Sequence, residues 1–337
     1  SAYAQFDSAA LMAFFENLGV PLKTERGNRV FPTSDRAFDV SAALERRLRQ
    51  LNVRVVRDRA EALLLREGAL EGVRGQREAY LAGRVVVATG GVSYPLTGST
   101  GDGYRLARQA GHTVVEPRGS LVPLCAAGDL CPRLQGLSLR NAALRAYENN
   151  KLIYSDFGEM LFTHFGVSGP MVLSASAHMR YFEKKSYRLE IDLKPALDRQ
   201  ALDKRLVSDF AKHANSDFVN AFDELLPRKL AEPFAELTGV PLRQKVHDLT
   251  LEQRRRVLEL MKALPVEITG PRPVAEAIVT AGGVAVKEVD PSTMGSKLLP
   301  GLHFAGEVLD VDAYTGGFNL QIAWSTGRAA GLACGGK

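Results

Sequence analysis

Hydrophobic and polar positions along the chain follow two periods, and the changes between them mark the elements. A spacing of three to four residues predicts a helix over 8–18, with Leu11, Phe14, Phe15 and Leu18 on one side, Asp7 or Ser8 as its cap and Gly19 as its end. A second helix is predicted over 37–51, capped by Ser34 or Asp35 and stopped by Asn52. Short apolar or alternating runs predict strands at 20–25 and 29–31 around Arg26-Gly27-Asn28, at 53–56, and in a hairpin of 62–65 with 70–73. The strongest strand of this half is 84–88, and a helix over 103–110 follows, capped by Asp102. After His112 the texture changes. Pro117, Pro123 and Pro132 punctuate β-like runs at 121–126, 142–147, 151–154 and 160–163. Pro170 then opens a helix, and 187–193 is a further strand. Helical periodicity dominates 196–264, in segments 199–210, 218–225, 229–237 and 251–264. Strands return at 266–269, 275–281 and 302–305, before a long helix over 319–333. A β-rich insert and a helical insert thus interrupt one α/β domain.

Two junctions of that domain invite a ligand. At the first, the 84–88 strand runs into Thr89, Gly90 and Gly91. The loop then passes Ser99 and Thr100 before its helix. Consecutive glycines permit close backbone approach, and the hydroxyls add donors. At the second, the compact strand Leu302-His303-Phe304-Ala305 ends in Gly306 and Glu307, at the carboxyl edge where open α/β sheets bind ligands. Gly316 and Gly317 then precede the 319–333 helix, whose N-terminus carries partial positive charge. A phosphate, a carboxylate or the N1–C2=O edge of a reduced flavin would each suit that end. Ordinary turn chemistry in a strand-to-helix connection would give the same residues.

Composition narrows the class. The chain has 337 residues, of which 45% are apolar and 24% charged, as in soluble globular domains. It has no apolar run near the ~20 residues that span a bilayer, and residues 1–7 do not read as a signal peptide. A cytoplasmic protein with reduced Cys125, Cys131 and Cys334 is therefore expected. The net charge of +5 is spread over helices rich in both signs, such as the segment with Arg254, Arg255 and Arg256. A nucleic-acid patch is the weaker reading of these charges, and anionic cofactors stay compatible with them. No Gly-x-Gly-x-x-Gly follows a predicted strand, and P-loop, HExxH and GxSxG motifs are absent. His164 and His303 are the histidines worth following. Asp310 and Asp312 lie too close together on one loop to argue for a metal.

Four blocks together resemble the FAD-dependent oxidoreductase family that includes aminoacetone oxidases and BaiN-type bile-acid reductases. They are residues 27–35, 88–104, 158–170, and 280–331 from Thr280-Ala281-Gly282-Gly283-Val284 onward. The resemblance covers nearly the whole chain. It implies a doubly wound, Rossmann-like FAD-binding domain in two parts, 1–113 and 281–337. Between them would lie a β-rich insert at 114–195, a helical insert at 196–264 and return strands at 265–280. Members of the family begin with a strand and a GGGPAG-like fingerprint that this sequence does not contain, so the chain is expected to start after that βαβ region. Gly295, Ala313 and Phe318 stand where the family commonly has Glu, Gly and Tyr.

By the same resemblance, Thr89, Gly90 and Gly91 would lie along FAD, and Gly306 would approach it. Glu307 or Asp310 would bond its ribityl or pyrophosphate region. Gly316, Gly317, Phe318, Asn319 and Leu320 would aim backbone N–H groups at the flavin pyrimidine edge. His164 would face the substrate. The implied activity is hydride transfer through the flavin to or from a small amine or an unsaturated molecule, with NAD(P)H or oxygen as the other redox partner. The rival readings are a cofactor-incompetent binding module, with nucleic acid as its weak variant, and a dehydrogenase that uses nicotinamide alone.

Overall fold

The computed structural model describes residues 1–25 and 27–335; Arg26, in the turn expected at 26–28, lies outside them. The chain divides into two compact units, residues 1–120 with 274–337, and residues 121–273.

In the first unit the helix Ser8–Asn17 is capped by the Asp7 carboxylate, which accepts from Ala10 N at 2.9 Å. Phe15 from this helix, Ala43 from the helix Ala37–Gln50, and Val20 form a small core with Trp324 against them. At the start of Ala37–Gln50 neither expected cap bonds the helix amides; Ser34 instead donates to Asp39 at 2.5 Å. The strands Ala60–Arg66, Ala69–Gly75 and Ala79–Leu81 form an antiparallel sheet. The strand Val85–Val87 pairs in parallel with Leu302–Phe304, Val85 opposite Leu302. Val114–Ser120 pairs antiparallel with Val279–Val284. Val87, Leu302, Phe304 and Ala305 share one core with Tyr104 and Leu106 of the helix Asp102–Gln109 and with Ala329 and Ala330 of the helix Phe318–Cys334.

One expected strand does not form. Residues 53–56 have no strand partner among the described residues, and Val53, Val55 and Val56 are exposed. The β-branched pattern is suited to a strand, but a strand exists only where a ladder accepts it.

The second unit is built on a closed antiparallel barrel. Around it run Lys151–Thr163, Gly166–Ser168, Leu124–Ala126, Leu264–Pro271, Tyr187–Asp192 and Ser138–Glu148. The period-2 pattern fills it: Ala142, Leu144 and Ala146 on one strand, and Leu264, Val266 and Ile268 on another, are buried between more exposed neighbours. The runs expected separately at 151–154 and 160–163 are one strand, with a shifted register between Gly158 and Met160. The helices Arg199–Lys212, Arg228–Leu237 and Leu251–Lys262 lie in the chain between two paired barrel strands. A capping box of Thr250 and Gln253 starts the last of them. The segment expected as a helix at 218–225 is a 3-10 turn, Phe218–Phe222.

Candidate functional site

Parallel pairing puts the ends of Val85–Val87 and Leu302–Phe304 on the same edge, where Ala305 N donates to Val87 O at 3.1 Å. Thr89, Gly90, Gly91, Gly306 and Glu307 therefore leave the sheet together. The first glycine loop is clamped by side chains of two distant segments. Thr280 Oγ1 accepts from Val92 N at 2.8 Å and from Ser93 N at 3.1 Å. The Thr280 hydroxyl lies 3.4 Å from Ser93 Oγ, to which it donates, and Ser93 donates in turn to Glu307 Oε1 at 3.1 Å. Thr280 N also donates to Glu307 Oε1, at 2.8 Å. Gly91 is enclosed by this clamp. A Cβ there would stand 2.2 Å from Thr280 Oγ1 and 2.7 Å from Glu307 Oε1. Gly103 does the same for the following helix, since its Cβ would stand 2.1 Å from Thr89 Oγ1 and 2.9 Å from Val308 Cγ2. The N-terminus of Asp102–Gln109 thus lies directly against the strand ends.

Gly306 adopts a positive φ of 74° and turns the chain toward the last helix. Its N–H donates to Thr326 Oγ1 at 2.9 Å, and Ala323 would lie 3.6 Å from a Cβ there. The small side chain of Ala323 is what lets the turn and the helix approach. The N-terminus of Phe318–Cys334 extends about 8 Å beyond Ala323, at ~1.5 Å per residue. Gly317 occupies the cap position with φ 93° and no side chain caps the amides that follow. Asn319 shapes the approach: Oδ1 accepts from Ala313 N at 2.8 Å, and Nδ2 donates to Ala313 O at 2.7 Å. Gly316, Gly317, Phe318 and Leu320 are exposed, and Asn319 is half-buried.

Asp310 donates its backbone N–H to Val284 O at 2.9 Å. Gly283 makes that approach possible, since a Cβ there would stand 2.5 Å from Val308 O. Tyr104, in the first turn of Asp102–Gln109, is 3% exposed, and its phenol oxygen has no hydrogen-bond partner among the described residues. Burial, and then the Glu307 and Asp310 charges, push the phenol up to about 12.

The expected residues divide by unit. Thr89, Gly90, Gly91, Gly306, Glu307, Asp310 and Gly316 to Leu320 all belong to the first unit, and the contacts above tie the strand ends to the last helix. His164 belongs to the second, in the turn between Lys151–Thr163 and Gly166–Ser168, edge-on to Phe165 at 5.0 Å. Among the described residues no cluster could hold a metal ion, and no helix is long and apolar enough to cross a membrane. Sequence reasoning missed Ser93, Tyr104 and the clamping role of Thr280. The only signal for the last was its place just before Gly282 and Gly283.

The profile described as the HI0933-like protein Rossmann domain matches residues 1–333. The chain is 32% identical over 333 residues to the 3-dehydro-bile acid delta(4,6)-reductase of Clostridium scindens, covering 98% of this chain and 80% of the reductase. It is 32% identical over 248 residues to the ribosomal RNA dihydrouridine synthase of Escherichia coli, and over 250 residues to that of Haemophilus influenzae. Those matches cover 73% and 74% of this chain and 59% of each synthase.

Proposed function

The chain belongs to the HI0933-like Rossmann-domain family and is an FAD-dependent oxidoreductase, and on that premise we propose that it saturates a carbon–carbon double bond conjugated to a carbonyl. Both kinds of relative bear names for such a reaction, a delta(4,6)-reductase of 3-dehydro bile acids and dihydrouridine synthases. The reading keeps the unsaturated substrate of the sequence analysis and sets the amine aside. NAD(P)H is the proposed source of hydride.

The observation that carries the cofactor assignment is the exposed, uncapped N-terminus of Phe318–Cys334 beside a glycine turn. Its donors suit negative charge on a flavin ring edge. At the same sheet edge Thr89 is exposed and Gly90 half-buried, so the backbone there stays open to the same group. When bound, FAD supplies the two-electron chemistry. The chain's own residues position it. Backbone N–H groups of 317–320 would receive the ring edge, Asn319 holds the loop before them, and Thr280 and Glu307 hold the Gly90-Gly91 turn. His164 is the side chain we propose meets the substrate.

The test is anaerobic. Full-length protein is reduced with NADH or NADPH, then mixed with a steroid enone or with uridine-containing RNA. Reoxidation of the flavin by the enone supports the proposal. Reoxidation by RNA alone keeps the reaction and makes uridine in RNA its substrate, the reading that rests on the two synthases. A flavin that stays reduced with either, and reoxidises only when oxygen is later admitted, overturns the proposal.

A further inference from the structure

A cavity beside the strand ends has no part in the flavin reading. It is open to solvent, has a volume of about 330 Å³, and is lined by Arg59, Glu61, Arg74, Gln76, Asp102 and Arg105. Pockets for small ligands hold ~300–1,000 Å³ and are mostly apolar. Here every lining side chain is charged or polar, so a ligand would be held by charge and hydrogen bonds. Two neighbouring strands and a helix start build the cavity. Glu61 belongs to Ala60–Arg66, and Arg74 belongs to Ala69–Gly75, opposite Ala62. Gln76 N donates to Arg59 O at 2.9 Å, which holds the open ends of this hairpin together. Asp102 and Arg105 come from the first turn of Asp102–Gln109. Gly103, the residue after Asp102, is packed against Thr89, so the cavity and the strand edge share one helix start.

The lining carries three guanidinium groups against two carboxylates. Asp102 is fully engaged. Its Oδ2 accepts from Arg59 Nε and Thr100 Oγ1, both at 3.0 Å, and its Oδ1 from Arg59 Nη2 at 3.2 Å and Arg105 Nη2 at 3.3 Å. Arg74 and Glu61 are not engaged. Arg74 Nε stands 3.9 Å from Glu61 Oε2, and neither side chain makes a hydrogen bond among the described residues. A guanidinium with free donors matches a phosphate, which it grips with two parallel N–H bonds. A free carboxylate repels phosphate and accepts from a hydroxyl. Inorganic phosphate therefore suits Arg74 and not Glu61. A sugar phosphate with a hydroxyl on the next carbon suits both. A planar base can in addition lie on a guanidinium face.

We propose that this cavity receives the 2′-phosphoadenosine end of NADPH, and that it makes the protein prefer NADPH to NADH. Arg74 takes the 2′-phosphate, with the free N–H groups of Arg59 and Arg105 beside it, and Glu61 accepts from the 3′-hydroxyl. This rests on NAD(P)H as the source of hydride and adds to it which nicotinamide is used and where its adenosine end sits.

Two measurements on the flavin-loaded full-length protein test it. Calorimetry compares 2′,5′-ADP, which carries the 2′-phosphate, with 5′-ADP, which lacks it. The first should bind about ten-fold more tightly, the worth of one charge-assisted hydrogen bond. The second measurement follows anaerobic flavin reduction in Arg74→Ala, a change the fold should tolerate because Arg74 is exposed and makes no hydrogen bond. The KM for NADPH should rise about ten-fold, with kcat, the KM for NADH and the flavin content unchanged. Equal binding of the two ADP isomers overturns the proposal, and so does a variant that loses NADH as much as NADPH. Loss of flavin from Arg74→Ala would make the cavity part of the flavin's own site and also overturns it. So does displacement of 2′,5′-ADP by inorganic phosphate or by RNA at equal phosphate concentration, since either would mean that the 2′-phosphoadenosine is not what is recognised. The hydride source fails separately. If 2′,5′-ADP binds as expected but neither nicotinamide reduces the flavin, that earlier reading falls and the nucleotide site stands.

Discussion

At Thr280 one hydroxyl accepts from two backbone amides and donates to a serine, so its loss should be felt beyond its volume. Thr280→Val keeps the shape and removes the acceptor. It should destabilise the protein by about 1–3 kcal/mol, the cost of leaving buried polar groups unmade, measured as a lowered unfolding midpoint. Gly91→Ala attacks the same clamp from the other side. Its Cβ would collide with Thr280 and Glu307, and a loss of about 1–3 kcal/mol is expected, together with weakened flavin binding. The residues of this region were legible only in part. Gly90, Gly91 and Glu307 declare themselves through turn chemistry and strand position. That Gly91 needs its missing Cβ because of Thr280 does not, since Val92 and Thr280 lie 188 positions apart and no local pattern joins them. Tyr104 reads in sequence as one more aromatic core position, because only the structure shows that its hydroxyl is unpaired.

At the scale of elements, the long helices were legible because their signals are local, though neither Ser34, Asp35 nor Asp102 caps its helix as expected. Asp7, Asp198 and Thr250 each accept from a backbone amide of the turn they open. Strand pairing was less so. Residues 53–56 have the apolar content of a strand but no ladder among the described residues, while 151–163 look like two strands and form one. Turn glycines tell the same story at the second junction. Gly283 reads as a bend, and it is also the place where Val279–Val284 touches the backbone of 308–310. Its φ of 125° and the 2.5 Å approach to Val308 O make Gly283→Ala a doubly strained change. A loss of about 2 kcal/mol or more is expected in chemical denaturation. Asn319→Ala should behave differently. It frees the loop before an exposed helix start, so thermal stability should move little while flavin dissociates several-fold faster in stopped-flow displacement.

For the molecule as a whole, acid is the informative variable. The His112 ring is fully buried. Nδ1 lies 3.2 Å from Glu288 Oε2 and Nε2 2.7 Å from Ser296 Oγ. Burial pushes His112 below its ordinary value, against the pull of Glu288. Below pH ~6.5 the unfolded chain therefore takes up a proton that the folded chain resists, and stability falls as pH drops through that range. Glu288 is held low by its bonds to Thr113 and His112, so its contribution is present above the ordinary carboxylate range and is lost on further acidification. Unfolding midpoints should be level above pH 7 and decline steadily below 6.5. His112→Gln should flatten the upper part of that decline at the cost of a lower plateau. A wild-type midpoint that rose between pH 7 and 5.5 would contradict this account of His112.

The barrel closes across a seam of unusual chain length. Ile191 and Leu264 sit opposite one another on neighbouring strands, yet about seventy residues of helix and loop intervene. Bringing those ends together costs about 3 kcal/mol more entropy than a two-residue hairpin would. The order of events in folding follows from this. The helices, which depend on near neighbours, should gather first and shorten the effective span, and the seam should zip last. Substitutions in Leu251–Lys262 should then slow refolding, while substitutions in the seam should mainly hasten unfolding. A segment that the strand order presents as an interruption would act as the clasp of the barrel.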